Sequence, residues 1–398
     1  MRRLLQIFLL KPILWASNKF ASKPQREKIF EALTDLRQHI KDNDGKKGLA
    51  INLKAGDKFI IFSDQHRGAK NGADDFMNAE PNYLSALDYY FLNGYSFISL
   101  GDCEELWENT LAAIKKNNTV SFESEKRFIQ QNRFYKVFGN HDLYWDNDPL
   151  AGWQLNKIYE QDVKVYEGMI LQLGVNSLES GVNSPELGVN SPVSGVGTTD
   201  LPAGRQGPEL RTKNSELSIF LTHGHQGDAS SDGNWFSKFF VANIWAPLQA
   251  YLKINPNTPA YNTSLKTEHN RIMYEWSSRQ KNLLLITGHT HQPVFESLTH
   301  PEKLYRELLQ AKSRKDTLRV QQLETELNWR KKENSRFNEE ILSMGPTYFN
   351  SGCCCFSDGD ITGIEISYEK IALIKWSAGK GREVLEQTEF INLLNQLK

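Results

Sequence analysis

Five short segments of the sequence carry side chains that bind divalent metal ions or transfer protons. Each segment follows a short apolar run, and six of the nine histidines of the chain lie in these segments. A single motif of this length arises easily by chance, so only their joint occurrence is informative. The five segments are Ser63-Asp64-Gln65-His66, Gly101-Asp102, Gly139-Asn140-His141-Asp142, Thr222-His223-Gly224-His225 and Gly288-His289-Thr290-His291.

The donor types restrict the metal. Carboxylate, imidazole and amide donors without thiolate favour manganese, iron or zinc ions over a structural zinc site built on cysteines. The candidates outnumber the ligands of one tetrahedral ion, and the Asp102 carboxylate is able to bridge, which favours two ions. Such a pair activates water and binds phosphoryl oxygens, as hydrolysis of a phosphate ester requires. The candidate ligands are Asp64, His66, Asp102, Asn140, His223, His289 and His291.

The elements that must position these residues follow from the apolar pattern. Short apolar runs that alternate with helical stretches predict an α/β fold with a buried sheet. Carboxyl ends of strands lie along one edge of such a sheet, so we expect the five motifs to meet in one pocket. The glycines at 101, 139, 224 and 288 are predicted to allow tight turns there. The predicted strands are 58–63, 96–100, 134–138, 216–222, 282–287, 346–352, 361–368 and 371–376, and the predicted helices are 24–42, 80–93, 104–116, 264–281 and 383–397.

In this order the five motifs resemble those of the calcineurin-like metallophosphoesterase superfamily. The resemblance covers about residues 55–295, and the strands at 346–376 are similar to the closing sheet of that family. It implies a four-layer αββα sandwich with a binuclear metal centre, for which manganese is favoured. By matching position, it implies that one ion is held by Asp64, His66, Asp102 and His291, and the other by Asp102, Asn140, His223 and His289.

The resemblance also implies roles in catalysis. A metal-bridging hydroxide would attack a phosphate ester or pyrophosphate, His141 would protonate the leaving group, and Asp142 would orient the His141 imidazole. His225 is interpreted either as a support for the ligands or as a substrate contact. Glu105 stands where the family more often carries Asp or Asn, and we expect little effect because that position is not a ligand.

The substrate is left open between several hypotheses. The aromatic-rich segment 234–252 is either an ordinary core helix or a hydrophobic lid beside the metal ions, able to hold an acyl chain or an aromatic base. Its placement is similar to the helical cap of UDP-2,3-diacylglucosamine hydrolases, although His141 stands where those enzymes usually carry arginine. We therefore expect a phosphorylated small-molecule or lipid-linked substrate, with that lipid pyrophosphatase or a protein Ser/Thr phosphatase as alternatives. A non-catalytic scaffold is disfavoured because no ligand is missing.

Composition narrows the partners and the compartment. The chain has 398 residues, with 47 Lys+Arg against 48 Asp+Glu, so no basic excess predicts nucleic-acid binding. Three of the four cysteines are consecutive (Cys353, Cys354 and Cys355), which argues against a disulfide scaffold. A reducing compartment, and hence a cytoplasmic location, is the simpler expectation.

We expect an N-terminal helical segment at 1–50 followed by a metallophosphoesterase domain at 51–398. The apolar run within the first 20 residues is too short to span a bilayer. We expect this segment either to dock on the domain or to lie at a membrane interface as a peripheral anchor. Three insertions are predicted in the domain: a disordered repeat loop at 174–215, a helical cap at 234–281 and a charged insertion at 301–340. The last is either one long helix or a helical hairpin.

Overall fold

The structure is a computed structural model, and it describes residues 24–71, 74–174, 216–227, 263–329 and 343–397. The helices are α1 (Arg26–Asp42), α2 (Glu80–Leu92), α3 (Leu111–Asn117), α4 (Thr119–Gln130), α5 (Tyr144–Asn147), α6 (Ala151–Tyr159), α7 (Thr263–Ser278), α8 (His300–Ser313), α9 (Thr317–Trp329) and α10 (Phe390–Gln396). The strands are β1 (Gly48–Asn52), β2 (Lys58–Phe62), β3 (Ser96–Leu100), β4 (Phe134–Val137), β5 (Val165–Tyr166), β6 (Gly168–Gly174), β7 (Glu216–Thr222), β8 (Leu283–Thr287), β9 (Tyr348–Asn350), β10 (Ile361–Ser367), β11 (Lys370–Ser377) and β12 (Gly381–Glu389).

The strands form two sheets. One has five strands in the order β1-β6-β7-β8-β9, and the other has seven in the order β12-β11-β10-β2-β3-β4-β5. In the seven-stranded sheet, β2 to β5 are parallel neighbours, while β10, β11 and β12 continue the sheet as an antiparallel meander. In the other sheet, β7, β8 and β9 are parallel. The carboxyl ends of β2, β3 and β4 therefore lie along one edge of their sheet, and those of β7 and β8 along one edge of theirs.

The core lies between the two sheets and is built by the period-two alternation of the strands. On β2, Phe59 and Ile61 face the five-stranded sheet, where they join a cluster that contains Ile219 and Ile286. The intervening residues Ile60 and Phe62 point the other way and pack against α2. Each sheet is thus apolar on both faces and needs a further layer to cover its outer side.

Helices supply these outer layers. α1 covers the five-stranded sheet with Ile29, Leu33, Leu36 and Ile40, which pack in one cluster with residues of α7 and β7. Their spacing of three to four residues places them on one helix face, and the burial of each contributes about 1.5–3 kcal/mol. α2 covers the seven-stranded sheet in the same way. The layers are helix, sheet, sheet and helix, which confirms the predicted four-layer αββα sandwich.

The predicted helix at 104–116 is shorter than expected. The helix begins only at Leu111, after Thr110, whose side chain accepts a hydrogen bond from the Ala113 amide. Residues 104–110 instead form a loop, in which Glu104 makes a β-bridge with Arg67 and buries its carboxylate. The sequence favours a helix here because it does not reveal that Glu104 and Glu105 are buried.

The prediction of one helix over 383–397 is wrong in its first half. Residues 381–389 form β12, which pairs with β11 at the edge of the seven-stranded sheet, and only Phe390–Gln396 is helical. Strand β12 lies at the edge of the sheet, where Val384 and Leu385 are exposed. Its backbone hydrogen bonds to β11, and not an alternation of buried side chains, determine its structure, so the sequence does not show the pattern of a strand.

The expected division of the chain also changes. The boundary at residue 50 falls inside β1, which pairs with β6, so 24–50 are part of the sandwich. α7 packs on the five-stranded sheet as an outer layer. In the charged insertion, α8 and α9 pack against each other through Leu304, Leu308 and Leu323. The N-terminal segment 1–23, the repeat loop 175–215, the aromatic segment 234–252 and residues 330–340 lie outside the described residues.

Among the described helices, none combines the length and the apolar character that crossing a membrane requires.

Candidate metal centre

The five motif loops meet where the strand ends of the two sheets approach each other. Asp64 and His66 follow β2, and His291 follows β8 in the opposite sheet. The Nε2 atom of His291 lies 3.2 Å from Oδ1 of Asp64 and 3.1 Å from Nε2 of His66. More than 220 residues of sequence separation thus collapse into one cluster of donor atoms.

A second cluster forms beside the first. It contains Asp102 after β3, His223 after β7 and His289 after β8, and one donor atom from each lies within 4.8 Å of the others. The shortest contact joins Nε2 of His223 to Oδ2 of Asp102, at 3.1 Å. All three side chains are buried.

Asp102 lies between the two clusters. Its Oδ2 atom is 3.7 Å from Nε2 of His66 in the first cluster and 3.1 Å from Nε2 of His223 in the second. Its other oxygen, Oδ1, accepts a hydrogen bond of 2.8 Å from the His141 amide. One carboxylate therefore faces both groups of histidines and is anchored to the loop after β4.

The backbone of this site is strained. Twelve non-glycine residues of the described ranges have positive φ, and five of them are predicted ligands. A left-handed backbone costs about 1–2 kcal/mol for a residue with a side chain, so it persists only where the surroundings enforce it. Such strain is concentrated at functional sites in proteins. The five residues are Asp64 (φ 54°), His66 (φ 49°), Asp102 (φ 53°), His289 (φ 69°) and His291 (φ 55°).

Hydrogen bonds between loops hold this conformation. The amide of Asp64 donates to the carbonyl of Gly101 at 3.0 Å, and the amide of His66 donates to the carbonyl of Asp102 at 2.9 Å. The His289 amide donates to the carboxylate of Asp64, 3.0 Å from Oδ2. The loops from β2, β3 and β8 therefore fix one another.

Two motif glycines are required for space. A Cβ atom on Gly139 would lie 2.2 Å from Oδ1 of Asp102, and one on Gly288 would lie 2.4 Å from Oδ2 of Asp64. Neither glycine has positive φ. These two glycines are therefore needed for close packing and not for a left-handed turn. The absence of a side chain allows the backbone to approach the carboxylates of Asp102 and Asp64.

Two histidines are oriented through their Nδ1 atoms. Nδ1 of His223 lies 3.0 Å from the carbonyl oxygen of Leu100, and Nδ1 of His66 lies 2.8 Å from Oε2 of Glu105. With Nδ1 bound in this way, each ring presents Nε2 to the cluster. This arrangement is typical of histidines that bind metal ions.

His141 is held by Glu105, not by Asp142. Its Nδ1 atom lies 2.9 Å from Oε1 and 2.7 Å from Oε2 of Glu105, and its ring stacks on Trp107 with centroids 4.3 Å apart. Asp142 instead accepts hydrogen bonds from the amides of Cys103, at 2.9 Å, and Gly139, at 2.5 Å. The predicted partnership of Asp142 with the imidazole is therefore corrected: Asp142 ties two motif loops together.

Opposite charges set the protonation of the site. Burial favours the neutral form of Asp64, but the neighbouring His291 and His223 hold its pKa below the ordinary value. Burial likewise lowers histidine pKa values, yet Asp102 and Asp64 outweigh it and raise the pKa of His223 to about 9. Asp64 raises the pKa of His291 to about 9 in the same way. The two carboxylates thus stabilise the positive charge of the protonated imidazoles. A bound metal ion would supply that positive charge instead.

His225 has a different environment. Burial and the nearby His223 lower its pKa to about 3. Its ring lies 5.5 Å from that of His223, and its Nδ1 atom is buried with no hydrogen-bond partner in the described part of the chain. It belongs to neither donor cluster.

A buried ionic network lies beneath the loops, and no local sequence pattern reveals it. Arg67 donates to Glu104 at 2.7 Å and to Glu125 at 2.6 Å. Lys136 donates to Glu104 at 2.9 Å, and Tyr159 donates to Glu125 at 2.6 Å. Two cations and two anions balance, so the desolvation of each charge is offset by partners.

The structure also brings two cysteines to the edge of the first cluster. Sulfur atoms of Cys353 and Cys355 and one nitrogen of His291 lie within 4.8 Å of one another. Hydrogen bonds from Cys355 and His291 outweigh burial and lower the pKa of Cys353 to about 5. The sequence does not reveal this placement, because the proximity of these cysteines to His291 is decided by β9 and the loop after it.

The donor set could bind divalent metal ions. Carboxylate, imidazole and amide donors suit manganese, iron or zinc. The Oδ1 atom of Asn140 is buried and makes no hydrogen bond within the described ranges, a condition that a ligand relieves. The residues that would hold the two ions remain those predicted from the sequence: Asp64, His66, Asp102 and His291 for one, and Asp102, Asn140, His223 and His289 for the other.

The two-sheet sandwich, with all five motif loops at adjoining sheet edges, decides the fold. The chain has the four-layer αββα architecture that the resemblance to calcineurin-like metallophosphoesterases implies. Within this fold, the seven predicted ligands occupy the loops that follow β2, β3, β4, β7 and β8.

Comparison with known proteins gives similar structures but no similar sequence. No protein-family model matches the chain, and no curated protein matches it. A predicted phosphoesterase from Streptococcus pneumoniae is similar at 11% identity and a TM-score of 0.25, over 84% of this chain and 97% of that one. Vacuolar Protein Sorting 29 from Cryptosporidium parvum is similar at 12% identity and a TM-score of 0.29, over 85% of this chain and 99% of that one.

Proposed function

We propose that this protein is a phosphoesterase that depends on two divalent metal ions, with manganese favoured. The observation that carries the proposal is the position of the Asp102 carboxylate, which faces a histidine of each donor cluster at 3.7 and 3.1 Å. A shared carboxylate is the usual bridge in two-metal hydrolytic sites. When bound, the ions would activate water and neutralise charge on a phosphoryl group.

The residues of the chain supply positioning and proton transfer. Glu105 holds His141 at Nδ1, which leaves Nε2 as the nitrogen that reaches a substrate. From there it would donate a proton to the departing oxygen, a role that contributes about 10²–10⁴-fold to a rate. Glu105 also binds Nδ1 of His66, so one carboxylate aligns both a predicted ligand and the predicted acid.

We propose a phosphorylated small molecule as substrate, in a phosphate ester or a pyrophosphate bond. The alternative of a lipid pyrophosphate depended on residues 234–252, which lie outside the described residues. A cytoplasmic location remains a proposal, supported by four cysteines that are all free thiols.

Substitution of the shared carboxylate tests the proposal. We expect Asp102→Asn to lower turnover of p-nitrophenyl phosphate by at least 10³-fold in Mn²⁺, and to reduce bound metal measured by mass spectrometry. Asp88→Asn is the matched control, because Asp88 is an exposed aspartate that pairs with Arg127 on a neighbouring helix. Near-normal turnover and metal content in Asp102→Asn would contradict the two-metal site.

A further inference from the structure

A cavity opens directly beside His141. It has a volume of about 290 Å³, and its walls include the rings of Trp107, His141 and Tyr144 and the apolar side chains of Leu106, Leu143 and Pro149. A second cavity of about 360 Å³ adjoins it, because both are lined by Leu106 and Tyr144. Together they form a groove that includes His141 in its lining.

Several residues that line this groove carry polar groups. Nε1 of Trp107 is buried and has no hydrogen-bond acceptor in the part of the chain that the structure describes. The second cavity is lined by the amide side chains of Asn109 and Gln154, each of which offers both a donor and an acceptor. A purely apolar ligand would leave the Trp107 N–H unpaired, and buried unpaired groups oppose binding.

The aromatic groups already show the geometry of ring stacking. Trp107 lies parallel to the His141 imidazole, with an interplanar angle of 18° and centroids 4.3 Å apart. Tyr144 forms the wall that is common to both cavities. Aromatic side chains together with amide side chains are typical of sites that bind a planar heterocycle by its faces and edges.

We propose that this groove binds the leaving group and that the leaving group carries a planar aromatic heterocycle of the nucleobase kind. The inference rests on the proposed function, since His141 can protonate the departing oxygen only if that oxygen lies at the mouth of the groove. The substrate is then a nucleotide or a nucleotide-linked phosphate. The groove has the volume for a nucleoside, because the two cavities together reach the range of about 300–1,000 Å³ found for small-molecule sites.

The first experiment compares two substrates that differ only in the base. Nucleoside 5′-monophosphate and ribose 5-phosphate release the same kind of primary alcohol, so the basicity of the departing oxygen is matched. We expect kcat/KM of the Mn²⁺-loaded protein to be at least tenfold higher for adenosine or uridine 5′-monophosphate, since one aromatic stack on a base is worth a factor of this size.

Variants then assign this preference to the groove. Trp107→Leu and Tyr144→Leu should each bring the ratio of the two kcat/KM values toward one, whereas damage to His141 alone would lower both values equally. Trp153→Leu is the matched control, because Trp153 is 52% exposed, lies against Lys157 and lines neither cavity. It should leave the ratio unchanged.

A binding measurement separates this inference from the proposed hydrolysis. Calorimetric titration with adenosine and uridine, which carry no phosphate, should show binding that Trp107→Leu and Tyr144→Leu abolish and Trp153→Leu retains. If no phosphate ester is hydrolysed but this pattern holds, the proposed function fails and the groove stands. Equal kcat/KM values for the nucleoside 5′-monophosphate and ribose 5-phosphate, together with no nucleoside binding, would overturn the inference. A higher kcat/KM for octyl phosphate than for both of these substrates would also overturn it.

Discussion

Glu105 contacts Nδ1 of His141 through both of its carboxylate oxygens, at 2.9 and 2.7 Å. The same carboxylate lies 2.8 Å from Nδ1 of His66. Burial raises the pKa of Glu105, but His141 and His66 outweigh it and lower the pKa to about 2. An ionised carboxylate therefore connects a predicted metal ligand to the predicted general acid.

The first prediction concerns this carboxylate. Glu105→Gln replaces an ionised acceptor by a neutral amide, and we expect kcat to fall by about 10–100-fold, the usual cost of losing an outer partner of a metal-site histidine. If His141 protonates the leaving group as we propose, the loss should be larger for alkyl phosphates than for p-nitrophenyl phosphate. Steady-state kinetics on both substrates measures this difference.

Two comparisons control the experiment. Burial together with Glu105 and Asp75 raises the pKa of Glu108 to about 8, so Glu108→Gln resembles the protonated side chain and should be almost silent at pH 7. Asp142→Asn should not show the leaving-group dependence, since Asp142 binds backbone amides. If Asp142→Asn shows the leaving-group dependence and Glu105→Gln does not, Asp142 orients the His141 imidazole, as the sequence predicts, and Glu105 does not.

The second prediction concerns pH and metal binding. In the metal-free protein the pKa values of His223 and His291 are raised to about 9, from an ordinary value near 6.5. Protonated imidazole cannot bind a metal ion, so ion binding must release protons. We expect the affinity for Mn²⁺ to rise as the pH increases from about 6.5 to 9, with little further gain from these residues above that range.

Calorimetry checks this directly after chelator treatment. The apparent enthalpy of Mn²⁺ binding at pH 7.5 should differ between buffers of different ionisation enthalpy, and the difference gives the number of protons released. His300→Ala is a suitable control because His300 is about half exposed in α8 and belongs to no donor cluster of the described residues. An affinity that does not change with pH would contradict the protonated state of the two imidazoles.

The third prediction concerns the network beneath the loops. Arg67→Met removes the guanidinium between Glu104 and Glu125 and leaves both carboxylates buried without it. We expect the free energy of unfolding to fall by about 3–5 kcal/mol, as is usual when one partner of a buried pair is removed. Urea denaturation followed by circular dichroism measures the loss.

An exposed pair supplies the comparison. Arg319 lies 2.7 Å from Glu307 between α8 and α9, with about half of each side chain accessible. Arg319→Met should change the free energy of unfolding by no more than about 1 kcal/mol, because solvent screens such pairs. Similar losses for Arg67→Met and Arg319→Met would show that the buried network is not a major source of stability.

The fourth prediction concerns a glycine at the site. Gly139→Ala would place a Cβ atom 2.2 Å from Oδ1 of Asp102, so the shared carboxylate or the loop after β4 must move. We expect turnover to fall by at least 10²-fold together with a weaker Mn²⁺ affinity. Gly152→Ala is the control, since a Cβ there meets no atom within 4 Å and alanine favours the helix. Full activity in Gly139→Ala would mean that Asp102 need not keep its place.

The sequence by itself determined the strands that precede the motifs and the donor types that follow them. A short apolar run ending in Gly-Asp or Gly-His is a local property, so β3 and β8 could be predicted to within one residue. The expectation that these strand ends meet required only the rule that ligands bind at the carboxyl edge of an α/β sheet. Asp102 and His223 consequently lie where the sequence placed them, in contact.

The tertiary structure alone decided which side chains support the site. The role of Glu105 is not visible in the sequence, because nothing local shows that a loop, rather than a helix, carries it to His66 and His141. β12 cannot be recognised from the sequence, because backbone pairing with β11 holds this edge strand and its side chains show no apolar alternation. Partners distant in sequence are chosen by packing, and packing is settled only when both sheets and their covering helices are in place.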